Sequence, residues 1–220
     1  MQNPELRKEI IKTARKLSVL GLTTATWGNV SVRTGEDKFL ITPSGIDYEA
    51  LQPEDIVKVN PDLSFEGRRK PSTELKLHAE IYRNKKNVKA VVHTHSTFAC
   101  AFAIAGESLP PVLEELAQVV GGSVDCTAYA KAGTWELAEK AVKTLGNKKG
   151  VFLANHGTVG VGRNLKEAFK VCVVVERTAK ATIFCRVLGK INVISEDDVA
   201  ELRKFYTEEY QGGKPSITHD

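Results

Sequence analysis

Apolar residues recur at every fourth position in the first segment of the chain, at Leu6, Ile10 and Ala14. This spacing places them on one face of a helix, which we predict to begin at Pro4 and to end at Gly21. The same helical periodicity, with capping residues before several of the segments, predicts six further helices. They cover residues 73–83, 96–105, 113–120, 134–145, 165–188 and 195–210.

Short runs rich in β-branched residues predict strands between these helices. They cover residues 29–33, 38–42, 56–60, 88–95 and 150–154. Turn residues between the first two strands predict a hairpin, which excludes a purely parallel sheet. We therefore predict an α/β protein with three layers (α/β/α), in which a mixed, mostly antiparallel central sheet is flanked by helices. Residues 1–210 are predicted to form a single domain and residues 211–220 a mobile tail.

The composition is that of an ordinary globular protein, with 42% hydrophobic and 26% charged residues among 220. No apolar run reaches the roughly 18–20 residues of a membrane span, and the first residues lack the apolar core of a secretion signal. Four scattered cysteines without a C-x-x-C pair are typical of a reduced protein. The sequence thus predicts a cytoplasmic protein that binds no membrane.

The charge balance argues against a nucleic-acid partner. There are 31 Lys and Arg residues against 27 Asp and Glu residues, which leaves a net charge of +4 scattered along the chain. Nucleic-acid-binding domains carry a larger and more localised excess. The one basic cluster, at residues 68–70, is interpreted as a solvated loop.

Three of the five histidines follow apolar strands. His93 and His95 alternate at the end of one strand, so their side chains point to the same face. His156 follows the strand at 150–154, and neighbouring strands would bring these ends together. Three imidazole nitrogens with an open position are typical of catalytic zinc, although an H-x-H pair alone is also compatible with surface histidines. His78 and His219 are interpreted as bystanders.

Glu74 stands at the start of a predicted helix, where a glutamate usually only complements the helix dipole. Ser72 and Thr73, beside it, offer hydroxyls and backbone N–H groups that suit a phosphate. Two glycine-bearing loops, at 28–29 and 44–45, also suit a phosphate, because glycine permits close approach of the backbone and the neighbouring residue carries a small hydroxyl or amide. Each loop is a weak signal alone.

The five motifs occur together and in order. They read TWGNVSVR (26–33), ITPSG (41–45), PSTE (71–74), HTHS (93–96) and NHG (155–157). In this combination the chain resembles the class II aldolase/adducin family, most closely its L-fuculose-1-phosphate aldolase group. The resemblance implies cleavage of a ketose 1-phosphate, either L-fuculose 1-phosphate or a related deoxy-sugar phosphate, to dihydroxyacetone phosphate and an aldehyde.

The resemblance also implies roles for particular residues. It implies one zinc ion per chain on His93, His95 and His156, with Mn²⁺, Co²⁺ or Fe²⁺ as possible replacements. It implies that Glu74 is the acid/base and also a ligand of the metal in the free enzyme. The implied cradle for the substrate phosphate consists of Gly28, Asn29, Ser44, Gly45, Ser72 and Thr73.

Family members are usually homotetramers with sites between subunits, so the resemblance implies a homotetramer here. Where L-fuculose-1-phosphate aldolase has a tyrosine contributed by the neighbour, this chain has Glu114 and Glu115. Tyr206 and Tyr210 lie near the position of another such tyrosine. These four residues are therefore candidates for the site.

Three alternatives stay open from the sequence. One is a pentulose-phosphate 4-epimerase, although that branch has Asp where Glu74 stands. Another is a 5-methylthioribulose-1-phosphate dehydratase or a related aldolase for 5-deoxypentulose phosphates, which would use a glutamate near Glu114 or Glu115 as the acid/base. The third is a non-enzymatic, adducin-like interaction module, which would not need the three histidines and Glu74.

Overall fold

The computed structural model describes residues 2–210, which contain one eight-stranded sheet. In chain order the strands are β1 (Asn29–Arg33), β2 (Phe39–Ile41), β3 (Val57–Val59), β4 (Phe65–Glu66), β5 (Ala90–Thr94), β6 (Asp125–Cys126), β7 (Gly150–Leu153) and β8 (Gly157–Gly162). Their order across the sheet is β4-β3-β2-β1-β5-β8-β7-β6. Strands β6 and β7 are parallel, and the other neighbours are antiparallel. The predicted mixed, mostly antiparallel sheet is confirmed.

Seven α-helices flank the sheet in the described part of the chain. They are α1 (Pro4–Val19), α2 (Leu75–Asn84), α3 (Thr97–Ala105), α4 (Glu114–Val120), α5 (Trp135–Leu145), α6 (Leu165–Leu188) and α7 (Glu196–Phe205). A 3-10 turn covers Pro53–Asp55, and a π-helical turn covers Tyr206–Tyr210. Among residues 2–210, every helix is too short or too polar to cross a bilayer. The predicted tail and His219 lie outside the described residues.

Successive side chains of β5 enter two different cores, because neighbouring residues of a strand point to opposite faces. Val91 packs in the core that α2 and α5 cover. Val92 packs in the core that α1 and α6 cover. A third cluster joins α3, α4 and α6 around Phe152 of β7. Burial on both faces explains the continuous apolar run of β5 and confirms the three-layer α/β/α arrangement.

Strand β8 was not predicted, although it lies at the centre of the sheet between β5 and β7. Its sequence, GTVGVG, contains three glycines, which weaken the strand signal. The close packing of α6 requires two of them. A Cβ on Gly160 would lie 2.8 Å from the carbonyl oxygen of Ala168, and one on Gly162 would lie 2.6 Å from the Ala168 nitrogen. The glycines that allow α6 to pack closely are therefore the reason why β8 was not predicted.

Strand β8 lies between the two strands that lead to the histidines, so the prediction that these two strands are neighbours is wrong. Strands β5 and β7 do not pair with each other, because β8 separates them and is antiparallel to both. Since two reversals restore the direction, β5 and β7 run the same way and end at the same edge of the sheet. The predicted convergence of their ends is thus correct, with a different strand arrangement.

The basic cluster at residues 68–70 is exposed, as predicted, but two of its side chains also form ion pairs with a buried carboxylate. Both Arg68 and Arg69 donate to one carboxylate oxygen of buried Asp55, at 3.0 and 2.9 Å. The second oxygen accepts from the backbone N–H of Gln52. Burial raises the pKa of Asp55, but the hydrogen bonds from Arg69, Gln52 and Arg68 outweigh it and leave the pKa below its ordinary value. Asp55 thus anchors the loop that leads into Ser72.

We expect Asp55→Asn to lower the free energy of unfolding by about 1–3 kcal/mol at neutral pH, because charge-assisted hydrogen bonds are lost. The ionised carboxylate stabilises the fold above the ordinary Asp pKa of about 3.9, and this contribution disappears as the pH falls towards the lower folded-state pKa. Urea unfolding at pH 7 and near pH 3 measures the difference. The exposed Asp197→Asn is the control. An equal loss at both pH values would contradict the assignment.

Candidate active site

Four side chains meet at the edge of the sheet where β5 and β7 end. They are Glu74, His93, His95 and His156, and their potential ligand atoms all lie within 4.8 Å of one another. The Nε2 atoms of His93 and His95 are 2.9 Å apart. The three rings stand edge to face, with centroids 4.7–4.9 Å apart. The structure therefore brings the three histidines and Glu74 into one cluster.

The turn between β7 and β8 carries His156 into this cluster. Asn155 adopts a left-handed conformation with φ of 56°, which asparagine tolerates better than most residues. The backbone N–H of His156 then closes the turn on the carbonyl of Leu153 at 3.0 Å. Gly157 follows directly and lies against β5. The NHG motif is thus a turn motif that aims one ring at the ends of two strands.

We expect Gly157→Ala to weaken metal binding by about 10–100-fold, because the added Cβ would displace the metal ligand His93 and the backbone of β5 beside it. An added Cβ would lie 2.3 Å from the carbonyl oxygen of Thr94 and 3.1 Å from Cε1 of His93. Competition with a chromophoric chelator measures the affinity. Gly35→Ala is the control, since its Cβ would meet only Lys38 Cβ at 3.9 Å. Unchanged affinity in the Gly157 variant would show that His93 does not depend on this contact.

His93 is fully buried, and its outer nitrogen is already used. Its Nδ1 lies 3.0 Å from the carbonyl oxygen of Thr158. A carbonyl can only accept, so Nδ1 carries a proton and Nε2 faces the cluster, where it offers a lone pair to a metal ion when the ring is neutral. Burial lowers the pKa of His93, but the carboxylate of Glu74 outweighs it and leaves the pKa raised. Burial, followed by the charge of His93, lowers the pKa of His95 to about 3. The same two causes lower the pKa of His156 to about 4, so both rings are neutral ligands at physiological pH.

Glu74 is the N-cap residue of α2 and is only 5% exposed. Its Oε2 accepts from Nδ2 of Asn29 and lies 2.9 Å from both that nitrogen and Nε2 of His93. Its Oε1 makes no hydrogen bond and lies 3.4 Å from Nε2 of His156. Burial raises the pKa of this carboxyl, but His93, His156 and Asn29 outweigh it and hold the pKa far below its usual range. Glu74 is therefore a carboxylate with one oxygen held and one free.

These atoms fit a divalent metal ion. Two imidazole nitrogens 2.9 Å apart and a buried carboxylate oxygen without a hydrogen-bond partner all point to one centre. A cation there would satisfy the lone pairs together. Neutral imidazoles with a carboxylate suit zinc, and the same donors accept Mn²⁺, Co²⁺ or Fe²⁺.

The predicted phosphate loops lie side by side beyond Glu74. Ser44 N–H donates to the carbonyl of Lys70, and Ser72 N–H donates to that of Thr42, at 3.1 Å each. Ser44, Gly45 and Thr73 are exposed. The loops at 44–45 and 72–73 are thereby joined, with hydroxyls open to solvent.

The loop at 28–29 approaches the metal ligands closely. Gly28 has φ of 88°, and a Cβ on it would lie 2.6 Å from Cγ2 of Thr23 and 2.9 Å from the carbonyl oxygen of His93. Its own carbonyl accepts from the hydroxyl of Tyr48 at 2.7 Å. The position therefore requires glycine.

Two of the predicted cradle residues contact Glu74. Asn29 is 3% exposed, faces His93 across the β1–β5 ladder, and uses its side-chain amide on Glu74. Ser72 accepts the N–H of Glu74 at 3.3 Å. Both side chains thus support the carboxylate, a use that sequence motifs alone did not indicate.

The structure does not place the four other candidates in this cluster. Glu115 pairs with Arg177 of α6 at 3.4 Å, and Glu114 begins α4 beside it. Tyr206 is 6% exposed and packs in the third core cluster, where Lys170 donates to its hydroxyl. Tyr210 stacks on Tyr206 with ring centroids 5.7 Å apart. Within the described chain, none of them contacts the metal ligands.

Two residues near the site were missed by the sequence analysis. His78 was interpreted as a bystander, but it is fully buried and bonded to Asn29. Its spacing of four from Glu74 on one helix would have indicated a shared face. Trp27 is 62% exposed and stacks on His95 with centroids 6.1 Å apart. No pattern in the sequence separates it from an ordinary surface tryptophan.

Comparison with known proteins identifies the family. Residues 8–183 match the family described as Class II Aldolase and Adducin N-terminal domain. The 5-methylthioribulose-1-phosphate/5-deoxyribulose-1-phosphate aldolase of Rhodospirillum rubrum is 38% identical over 92% of this chain and 91% of its own. The 5-deoxy-D-ribulose 1-phosphate aldolase of Bacillus thuringiensis serovar kurstaki is 37% identical over 90% of this chain and 93% of its own.

Among solved structures, an L-fuculose 1-phosphate aldolase superposes with a TM-score of 0.91 at 33% identity, over 94% of this chain and 98% of its own. The fold agrees with this match. The chain therefore belongs to the class II aldolase and adducin family, with a cluster of one glutamate and three histidines that can hold the zinc ion on which aldolases of this family depend.

Proposed function

We propose that the protein cleaves a ketose 1-phosphate with a deoxy terminus into dihydroxyacetone phosphate and an aldehyde, with Glu74 as the acid/base. The observation that carries this proposal is the asymmetry of the Glu74 carboxylate. Its Oε2 is held by Asn29 and His93, whereas its buried Oε1 has no hydrogen-bond partner and faces His156. A free carboxylate oxygen beside a metal centre is suited to proton transfer.

The chemistry matches these residues. Breaking the C3–C4 bond of the ketose leaves the electron pair on C3, beside the carbonyl carbon, and releases the C4 side as the aldehyde. A zinc ion on His93, His95 and His156 would supply the positive charge that stabilises the resulting enediolate. The C4 hydroxyl gives up its proton as the C3–C4 bond breaks. The ionised Glu74 takes up a proton and delivers it to C3, which becomes a hydroxymethyl carbon of dihydroxyacetone phosphate. In the condensation direction the ionised Glu74 removes the same proton, which its lowered pKa permits.

We assign the substrate phosphate to the three loops that surround Glu74. The exposed hydroxyls of Ser44 and Thr73 and the close approach of Gly28 to β5 support this assignment. Gly45, Ser72 and Asn29 lie within the same loops, the last two holding Glu74 as well. A phosphate bound there would place the reacting carbons of a short sugar beside the cluster.

The substrate class follows from the relatives. Two relatives are named as aldolases of 5-deoxyribulose 1-phosphate, and the solved structure is named as an aldolase of L-fuculose 1-phosphate. These ketose 1-phosphates share a deoxy end, so we propose that this enzyme releases a small aldehyde with a methyl or similar apolar terminus. A 5-deoxypentulose 1-phosphate is the first candidate.

We propose a homotetramer. Three residues at the end of α6 form an apolar patch: Phe184, Val187 and Leu188 are 56%, 85% and 86% exposed. Exposed patches of this kind are usual at interfaces between proteins. Light scattering should give four chains per particle, and a fully active monomer that survives dilution would remove the support for this assembly.

A cytoplasmic location and the lack of nucleic-acid and membrane partners stay predictions. All four cysteines are free, which suits a reducing compartment. The net charge of +4 is too small for a nucleic-acid surface.

The test is a product assay with purified, zinc-loaded protein and a panel of ketose 1-phosphates. We expect dihydroxyacetone phosphate and one equivalent of aldehyde, fastest with 5-deoxy substrates. Loss of water without dihydroxyacetone phosphate would support the dehydratase instead. Inversion at C4 without cleavage would support the epimerase, and complete inactivity of metal-loaded protein would support the interaction module.

A further inference from the structure

A chain of hydrogen bonds runs behind Glu74 through the buried space between α2 and β1. The hydroxyl of Tyr82 lies 2.7 Å from Oγ of Ser31, and that oxygen lies 2.6 Å from Nδ1 of His78. Nε2 of His78 bonds to Oδ1 of Asn29, whose Nδ2 donates to Glu74 at 2.9 Å. Glu74, His78 and Tyr82 are spaced by four residues, so they share one face of the helix. The five side chains are all buried.

The ionised carboxylate of Glu74 determines the direction of every hydrogen bond in this series of five side chains. Glu74 is ionised and can only accept, so Asn29 must present its NH₂ group to it and its carbonyl oxygen to His78. That oxygen accepts only, so the proton of His78 is on Nε2. Nδ1 then accepts from the hydroxyl of Ser31, which in turn accepts from Tyr82. Complete burial keeps His78 neutral, since it lowers the pKa of the ring to about 3 and outweighs the opposite effect of the Glu74 charge.

We propose that His78 is a positioning residue for the aldolase reaction: as its Nε2–H tautomer it holds the side-chain amide of Asn29 in the orientation that fixes Oε2 of Glu74 and leaves Oε1 free for proton transfer. The opposite amide orientation would set a carbonyl oxygen against the carboxylate, which repels it. The ring of His78 bonds to Asn29 and Ser31 rather than to the carboxylate of Glu74 or the three histidines, so its influence on that carboxylate passes through Asn29. This inference rests on the proposed role of Glu74.

Three variants separate positioning from packing. His78→Leu removes both ring nitrogens, and we expect kcat to fall about 10–100-fold, as for the supports of other metal sites, with KM changed less than threefold. His78→Gln keeps an N–H near the position of Nε2, and we expect it to recover most of that loss. Ile81→Ala is the control, because it removes a fully buried apolar side chain from the same helix without touching the polar chain.

A spectroscopic measurement tests the tautomer without any reaction. In ¹⁵N-labelled protein, with and without zinc, we expect the nitrogen shifts of His78 to show a protonated Nε2 and an unprotonated Nδ1 between pH 6 and 8. A protonated Nδ1 would overturn the proposal. So would the expected tautomer together with an unchanged kcat in folded, zinc-loaded His78→Leu. Failure of the proposed function is different, because the parent protein would then release no dihydroxyacetone phosphate, whatever the tautomer.

Discussion

Glu74→Gln is expected to lower the rate of dihydroxyacetone phosphate release by about 10²–10⁴-fold, the usual effect of losing a positioned acid/base. The glutamine keeps the shape of the side chain and one acceptor oxygen, but it cannot take or give the proton. Because the three histidines remain, bound metal should stay near one ion per chain. The measurement is a coupled assay of dihydroxyacetone phosphate with metal analysis of the same sample.

The matched control is Glu115→Gln, with Glu114→Gln beside it. Glu115 lies on α4, pairs with Arg177 and does not belong to the cluster, so we expect both variants to keep most of the activity. A dehydratase mechanism would reverse the order of the effects, because a glutamate of this segment would then move the protons. An intact aldolase rate in Glu74→Gln would contradict our assignment of the catalytic group.

His156→Ala is expected to have the second large effect, through loss of the metal. It removes one of three nitrogens that converge on the centre, the one that lies 3.4 Å from Oε1 of Glu74. Loss of about 4 kcal/mol of charge stabilisation corresponds to a roughly 10³-fold slower reaction. Plasma emission analysis after dialysis measures the bound metal beside the rate.

Cys185→Ala is the control for adventitious metal, because this exposed thiol could bind zinc at the surface. We expect it to retain both the metal and the activity. Full stoichiometric metal with unchanged turnover in His156→Ala would remove His156 from the ligand set.

The metal cluster was predictable because its signals are local. His93 and His95 share a face through strand alternation, and the apolar run before them marks a strand that is buried on both sides. The place of His156 in the cluster could be predicted from the expectation that two strands end at the same edge of the sheet. Glu74 could be placed from its position at a helix start and from the family resemblance.

The parts that were not predictable depend on tertiary packing. The glycines of β8 read as a loop in the sequence, whereas the approach of α6 makes them necessary in a strand. Asn29 reads as a phosphate ligand, but its contacts with Glu74 and His78 arise only when β1 pairs with β5 beside α2. The ion pairs of Arg68 and Arg69 were not predicted because their partner, Asp55, is distant in sequence. Contacts between distant segments leave no periodic signal.

The most direct test of the central claim is turnover of a 5-deoxyketose 1-phosphate by zinc-loaded protein in D₂O, followed by mass spectrometry of the products. If Glu74 protonates C3 after the C3–C4 bond breaks, each molecule of dihydroxyacetone phosphate gains one solvent deuterium, because the carboxyl proton exchanges with solvent. The second hydrogen on that carbon comes from the substrate, so a single deuterium on one face is the expected result. Dihydroxyacetone phosphate that carries no deuterium would contradict this mechanism, and so would products that contain no dihydroxyacetone phosphate.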